Sequence, residues 1–84
     1  MINITDVKVI KTEGNFRVKG IASITIDDSF VVHDIKIIEN ERGLYVAMPS
    51  RRLPSGEFKD IAHPINAEAR EIIQKAVLNE YEKN

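Results

Sequence analysis

The stretch Phe16-Arg17-Val18-Lys19-Gly20-Ile21-Ala22-Ser23-Ile24-Thr25-Ile26 decides the fold. Phe16, Val18, Ala22, Ile24 and Ile26 share one side of an extended chain, while Arg17, Lys19, Ser23 and Thr25 share the other, with Ile21 the one exception. Side chains alternate between faces with period two only in a strand, so this pattern predicts a half-buried antiparallel strand. Gly20 interrupts it, as expected at a bulge or where another part of the chain comes close.

Working outward, residues 2–12 are rich in Ile and Val and read as a strand, followed by the turn chemistry of Thr12-Glu13-Gly14-Asn15. Asp27-Asp28-Ser29 makes the next turn. Residues 30–39 give a third strand, with Val31, Ile35 and Ile37 on one face and Asp34 and Lys36 on the other. Asn40-Glu41-Arg42-Gly43 suits a hairpin connection, and residues 44–48 return. Residues 49–56 carry two prolines, two serines and a glycine and are expected to form a loop, followed by a short extended piece at 58–62. Pro64 biases His63 away from helix. Asn66 is a good N-cap and Glu68 an acid in the first turn, and Ala69, Ile72, Ile73, Ala76 and Val77 form one apolar stripe that Tyr81 extends. Glu71 and Lys75 are an i,i+4 pair in the favourable order. The expected fold class is α+β: an antiparallel sheet of four to five strands covered by one C-terminal helix over about residues 67–82, in a single domain spanning residues 1–84.

At 84 residues there is room for one small core, and a chain of this length buries only about 60% of its unfolded surface, so self-association would add stability. No stretch reaches the roughly 20 apolar residues of a membrane span. The opening Met1-Ile2-Asn3-Ile4-Thr5-Asp6 has neither the basic start nor the apolar run of a signal peptide. The absence of cysteine removes disulfides and thiolate metal sites and fits a reducing compartment, so a cytoplasmic location is expected. Twelve basic and 13 acidic residues give a net charge of −1, which argues against indiscriminate nucleic-acid binding and confines any phosphate site to a local cluster.

One such cluster stands out. Arg51-Arg52 lies in a segment, residues 44–56, without a single Asp or Glu, and Lys59 follows just beyond it. Arginine forks match phosphate geometry. Glu57 and Asp60 are the nearby acids that would neutralise the pair if it served only as solvated surface. Arg17, Lys19 and Lys36 fall on the polar side of their strands and are expected to share the solvent face of the sheet. Such positions also commonly carry cations simply to blunt edge pairing. His33-Asp34 and Asp60 with His63 are the only candidates for metal or acid/base chemistry. However, His33 sits on the apolar side with Val31 and Ile35, and a histidine before proline more often ties down a turn. No phosphate-cradling glycine motif and no Ser-His-acid arrangement is present, so no enzyme activity and no cofactor are expected.

Three blocks also resemble a known family. They are Asp27-Asp28-Ser29-Phe30-Val31-Val32-His33-Asp34, Gly43-Leu44-Tyr45-Val46-Ala47-Met48-Pro49-Ser50-Arg51-Arg52 and Gly56-Glu57-Phe58-Lys59-Asp60-Ile61-Ala62-His63-Pro64-Ile65, together with the opening Ile4-Thr5-Asp6-Val7-Lys8. The chain is similar to the stage V sporulation protein G (SpoVG) family of bacteria from its start through most of the helix. That resemblance implies a bacterial regulator linked to division-septum formation and sporulation, acting as a dimer that binds DNA or RNA. The family's basic pair after Met-Pro-Ser falls on Arg51 and Arg52.

Three functions follow in order. The first is a dimeric nucleic-acid-binding regulator, paired through a sheet edge such as residues 2–12, with Arg51, Arg52, Lys59, Arg17 and Lys19 as contacts. The second is a module that docks on septation proteins without touching nucleic acid. The third is a small metalloenzyme.

Overall fold

The computed structural model describes residues 2–12 and 17–83. In chain order the elements are β1 (Ile4–Lys11), β2 (Val18–Ile26), β3 (Phe30–Asn40), β4 (Gly43–Ala47), β5 (Ser50–Arg52), β6 (Phe58–Asp60) and α1 (Ala67–Lys83). Strands β1 to β4 form an antiparallel meander in that order, and β5 pairs with β6 in a separate ribbon. The α+β expectation therefore holds. Phe16 and most of the turn read at residues 12–15 lie outside the described residues.

The hairpin turns explain why consecutive strands pair. Asp27 and Asp28 have φ of 52° and 53°, and Ser29 N donates to Ile26 O at 3.0 Å. Two left-handed central residues make a type I′ turn, whose twist matches that of the flanking strands. Aspartate tolerates that region better than most residues. At the β3–β4 turn, Arg42 N donates to Asn40 Oδ1 at 2.9 Å and Gly43 takes φ of 124°, which few other residues accept.

The core lies between one face of the meander and α1. Ala22 and Ile24 of β2, Ile35 and Ile37 of β3, Val46 of β4, and Ile73 and Val77 of α1 are all buried. Fully burying each large side chain contributes about 1.5–3 kcal/mol. No polar side chain is buried among the described residues. The helix starts where Asn66 caps it, with Oδ1 accepting from Ala69 N at 2.7 Å. Its inward stripe is centred on Ile73 and Val77 and ends on Tyr81, which also receives the Lys11 ammonium 4.8 Å from its ring centroid. Lys75 and Glu71 pair at 2.8 Å on the exposed side. Hydrogen bonding to Lys75 holds the Glu71 carboxyl below its ordinary range, so this small surface contribution is present at neutral pH and fades as acid protonates Glu71.

Three register shifts correct the simple alternation. Across β2–β3, Ile24 pairs with Val32 but Ala22 pairs with Ile35, so β3 holds one extra residue at His33-Asp34. Asp34 takes φ of 61° there. A bulge of this kind exchanges the faces on either side of it. Val32 rather than Val31 therefore packs on the core, and Val31 and His33 are exposed, against the expectation for both. A second shift sets Val18 opposite Ile38 while Gly20 sits opposite Ile37. Ile37 is core, so Val18 turns with Ile38 to the uncovered face, which overturns the placement of Val18 with Ala22 and Ile24. The third, between Ile4 and Asp6, lets both Ile4 and Val7 reach the core.

Gly20 fulfils both expectations for it, standing at a bulge and at a close approach. A Cβ there would lie 3.3 Å from Ile10 O, 3.4 Å from Ile37 Cδ1 and 3.6 Å from Tyr81 Cδ1. In urea unfolding, Gly20→Val is expected to cost about 1–3 kcal/mol by overpacking, and Asn66→Ala about 1 kcal/mol by loss of the cap. A neutral Gly20→Val would show that the β1–β2–α1 junction is looser than these distances.

Candidate nucleic-acid interface

The segment expected as a loop is instead a short antiparallel ribbon. Pro49 is buried, and its carbonyl accepts from Ile61 N at 2.8 Å, which fastens the base of the ribbon to the end of β4. At the tip, Gly56 N donates to Leu53 O at 2.9 Å across Leu53-Pro54-Ser55-Gly56, and Leu53 N donates to Glu57 O at 2.7 Å. Proline at the second position and a glycine with φ of 93° at the fourth are what such a tight turn requires. Composition alone reported the turn but not the pairing around it, because each strand is only three residues long.

Pairing fixes which side chains stand together. Ser50 lies opposite Asp60, Arg51 opposite Lys59, and Arg52 opposite Phe58. Neighbours along a strand point to opposite faces, so the two adjacent arginines do not act as one patch. Arg51 and Lys59 occupy one face of the ribbon; Arg52 and Phe58 occupy the other. All six ribbon residues are exposed. None of Arg51, Arg52 or Lys59 makes an ion pair with a described residue, Glu57 and Asp60 included.

Directly opposed like charges destabilise a strand pair. A ribbon that places Arg51 against Lys59 therefore works against its own stability, and an anion between the two cations would remove that repulsion. A two-stranded ribbon is also narrow enough to enter the major groove of duplex DNA.

The other predicted cations stand elsewhere. Lys36 pairs with Ile21 and Ala47 on the open face of the sheet. Lys19 lies at the second bulge and its ammonium reaches Glu39 at 3.7 Å, while Arg17 O accepts from Glu39 N at 2.9 Å. The three do not form the shared strip that simple alternation predicts. Arg17 and Lys19 sit beside the β3–β4 hairpin, whereas the ribbon leaves the opposite end of β4, about 15 Å away at the usual rise of a strand. Among the described residues no three metal-ligating side chains converge. His33 is exposed, and His63 Nδ1 lies 3.1 Å from Pro64 O, the turn-tying contact expected of it.

With this geometry in place, comparison with known proteins is decisive for kinship. The SpoVG family pattern matches residues 2–83. The chain belongs to the SpoVG family. Proteins named "Putative septation protein SpoVG" are 61% identical to it in Clostridium perfringens, over 98% of this chain and 91% of the relative. The same name and identity recur in Clostridium kluyveri, over 98% and 85%. In Caldanaerobacter subterraneus the identity is 58%, over 98% and 90%. The SpoVG resemblance carried by the Met-Pro-Ser-Arg-Arg to His-Pro-Ile blocks thus extends over nearly the whole chain. Those blocks cover the end of β4, the ribbon and the entry to α1.

Sequence reasoning missed Phe58 as a companion of Arg52. The signal was available only through the register, which places the two opposite each other across a turn of known type. Reversing one charge tests the electrostatic reading of the other face. Lys59→Glu is expected to raise hydrogen-exchange protection of the ribbon amides, as a repulsive cross-strand pair becomes an attractive one worth about 0.2–1 kcal/mol. Unchanged or reduced protection would mean that Arg51 and Lys59 do not feel each other.

Proposed function

We propose that this SpoVG-family protein is a dimeric, cytoplasmic nucleic-acid-binding regulator connected with septum formation and sporulation, and that the β5–β6 ribbon is its phosphate-contacting element. The observation that carries this reading is the cross-strand pair of Arg51 and Lys59, exposed and without an ion-pair partner among the described residues, in a chain of net charge −1. Cations concentrated on one ribbon face suit a short run of phosphates better than a broad electrostatic surface. Arg52 adds a third cation from the opposite face. Arg17 and Lys19 are peripheral contacts at most, with Lys19 already engaged by Glu39. The link to septation comes from the name carried by the relatives and from family membership. No catalytic step, metal or cofactor is part of the proposal.

Dimerisation is supported by a thin core and by unpaired sheet surface. The edge strands of the meander are β1 and β4, and among the described strands β1 has a neighbour, β2, on one side only. On the face that α1 does not cover, Ile10, 73% exposed, stands opposite Ile21, and Ile38 stands opposite Tyr45. A second copy added at the β1 edge would pair the strand and bring two ribbons into one assembly. Sedimentation is expected to give twice the chain mass of 9.5 kDa. A monomer at all working concentrations contradicts this half of the proposal.

A second reading, docking on septation proteins without nucleic acid, is favoured by an open apolar groove of about 300 Å³. It is lined by Ile2, Phe30, Met48, Pro64 and Ile65 among others. Binding of labelled duplex DNA and single-stranded RNA across a salt series separates the two readings. Arg51→Ala is expected to weaken binding and flatten the slope of log K against log salt by about 0.9 on duplex and about 0.7 on single strands. Absence of binding to either nucleic acid at low salt would transfer the function to protein partners.

A further inference from the structure

We infer that the Arg52–Phe58 face of the ribbon is a site for one unpaired nucleotide, with the base stacked on the Phe58 ring and its phosphate held by Arg52. This rests on the proposed nucleic-acid reading and adds to it a ligand class and a division of labour between the two arginines.

Phe58 is 72% exposed, although it lies in a paired strand with a buried proline at the ribbon's base. The opposing Arg52 does not cover it. The Arg52 side chain instead reaches back over the turn, with Nη2 3.9 Å from the position a Cβ on Gly56 would take. Arg52 and Phe58 are thus opposed in the register and both exposed, with the guanidinium carried toward the turn and the ring left open to solvent. Cross-strand neighbours have Cβ atoms about 5 Å apart, a spacing short enough for one nucleotide to touch both.

The charges around the pair give the site a direction. Asp60 stands on the same face but one row toward the base of the ribbon, opposite Ser50. A phosphate is repelled from that row and drawn to the tip, where Arg52 overhangs the bare Gly56. The base then occupies Phe58. Stacking of this kind requires a base free of its own stack, so it is available in single strands and not in an intact duplex. The Arg51–Lys59 face, in contrast, offers only charge and serves either form.

The sequence contains no tryptophan, so Phe58→Trp installs a single fluorescent reporter at the site. Its emission is expected to be quenched by mixed-sequence single-stranded RNA or DNA and to change little with the matching duplex. In parallel, Phe58→Leu, which keeps an apolar side chain in the strand, is expected to weaken single-strand binding by about five- to a hundredfold. Its salt slope should remain that of the native chain, and its duplex affinity should stay within twofold. Arg52→Ala should likewise fall more on single strands than on duplex, whereas Arg51→Ala falls on both. Equal losses on both forms, or single-strand affinity unaffected by Phe58→Leu with no quenching of the tryptophan, would overturn the stacking site while leaving the phosphate reading standing. A change of oligomeric state in Phe58→Leu would also overturn it, by assigning the ring to a subunit contact. Failure of the native chain to bind any nucleic acid would remove both.

Discussion

Everything in this fold depends on one face of a four-stranded meander being sealed by a single helix. Ile73 and Val77 are the only helix side chains buried outright, and they close over Ala22, Ile24, Ile35, Ile37 and Val46. With so few residues in the core, there is little redundancy. The bulges at Lys19-Gly20, His33-Asp34 and Thr5-Asp6 are best understood from this constraint. Those at Thr5-Asp6 and His33-Asp34 let Ile4 with Val7 and Val32 with Ile35 reach the core, while the one at Lys19-Gly20 puts Gly20 at the close approach and turns Val18 to the open face. Gly20 marks a close approach, where β1, β3 and the end of α1 meet.

The same economy explains why the ribbon is available for contact. Once β4 ends at Ala47, the chain has no further sheet face to cover before α1 begins. Pro49 and its bond from Ile61 fix both ends of the excursion, and the tight turn at Leu53-Pro54-Ser55-Gly56 fixes its tip. Between them six exposed residues carry no core-forming duty. The cations among them are therefore free of packing constraints, and alternation along the two short strands sorts them onto two faces with different chemistry. One face has charge only; the other has charge beside an aromatic ring.

The large features were legible in the sequence because their periodicities are long. Residues 18–26 alternate over enough positions to declare a strand, and Asn66 with the stripe from Ala69 to Val77 declares the helix within a residue of its observed end. The three register shifts were not legible. A bulge adds one residue without altering composition, so Val18, Val31 and His33 are assigned to the wrong face by counting in twos. The ribbon escaped for a related reason. Its Pro, Ser and Gly residues speak for a turn, and strands of three residues are too short to show a period. Arg51, Arg52 and Lys59 were still identifiable, because a long stretch without acids is a compositional signal that survives ignorance of the local structure. Their separation onto two faces, and the partnership of Arg52 with Phe58, needed the register.

The central claim is that the β5–β6 ribbon is where nucleic acid is bound. A titration of isotopically labelled protein with single-stranded RNA, followed by backbone amide NMR shifts, tests it without any substitution. The account predicts the largest and earliest shifts at Ser50–Arg52, Phe58–Asp60 and Gly56, with β1 and the exposed side of α1 nearly unmoved. Shifts concentrated on the open face around Ile10, Ile38 and Tyr45, or beside Arg17 and Arg42, with the ribbon silent, would contradict it.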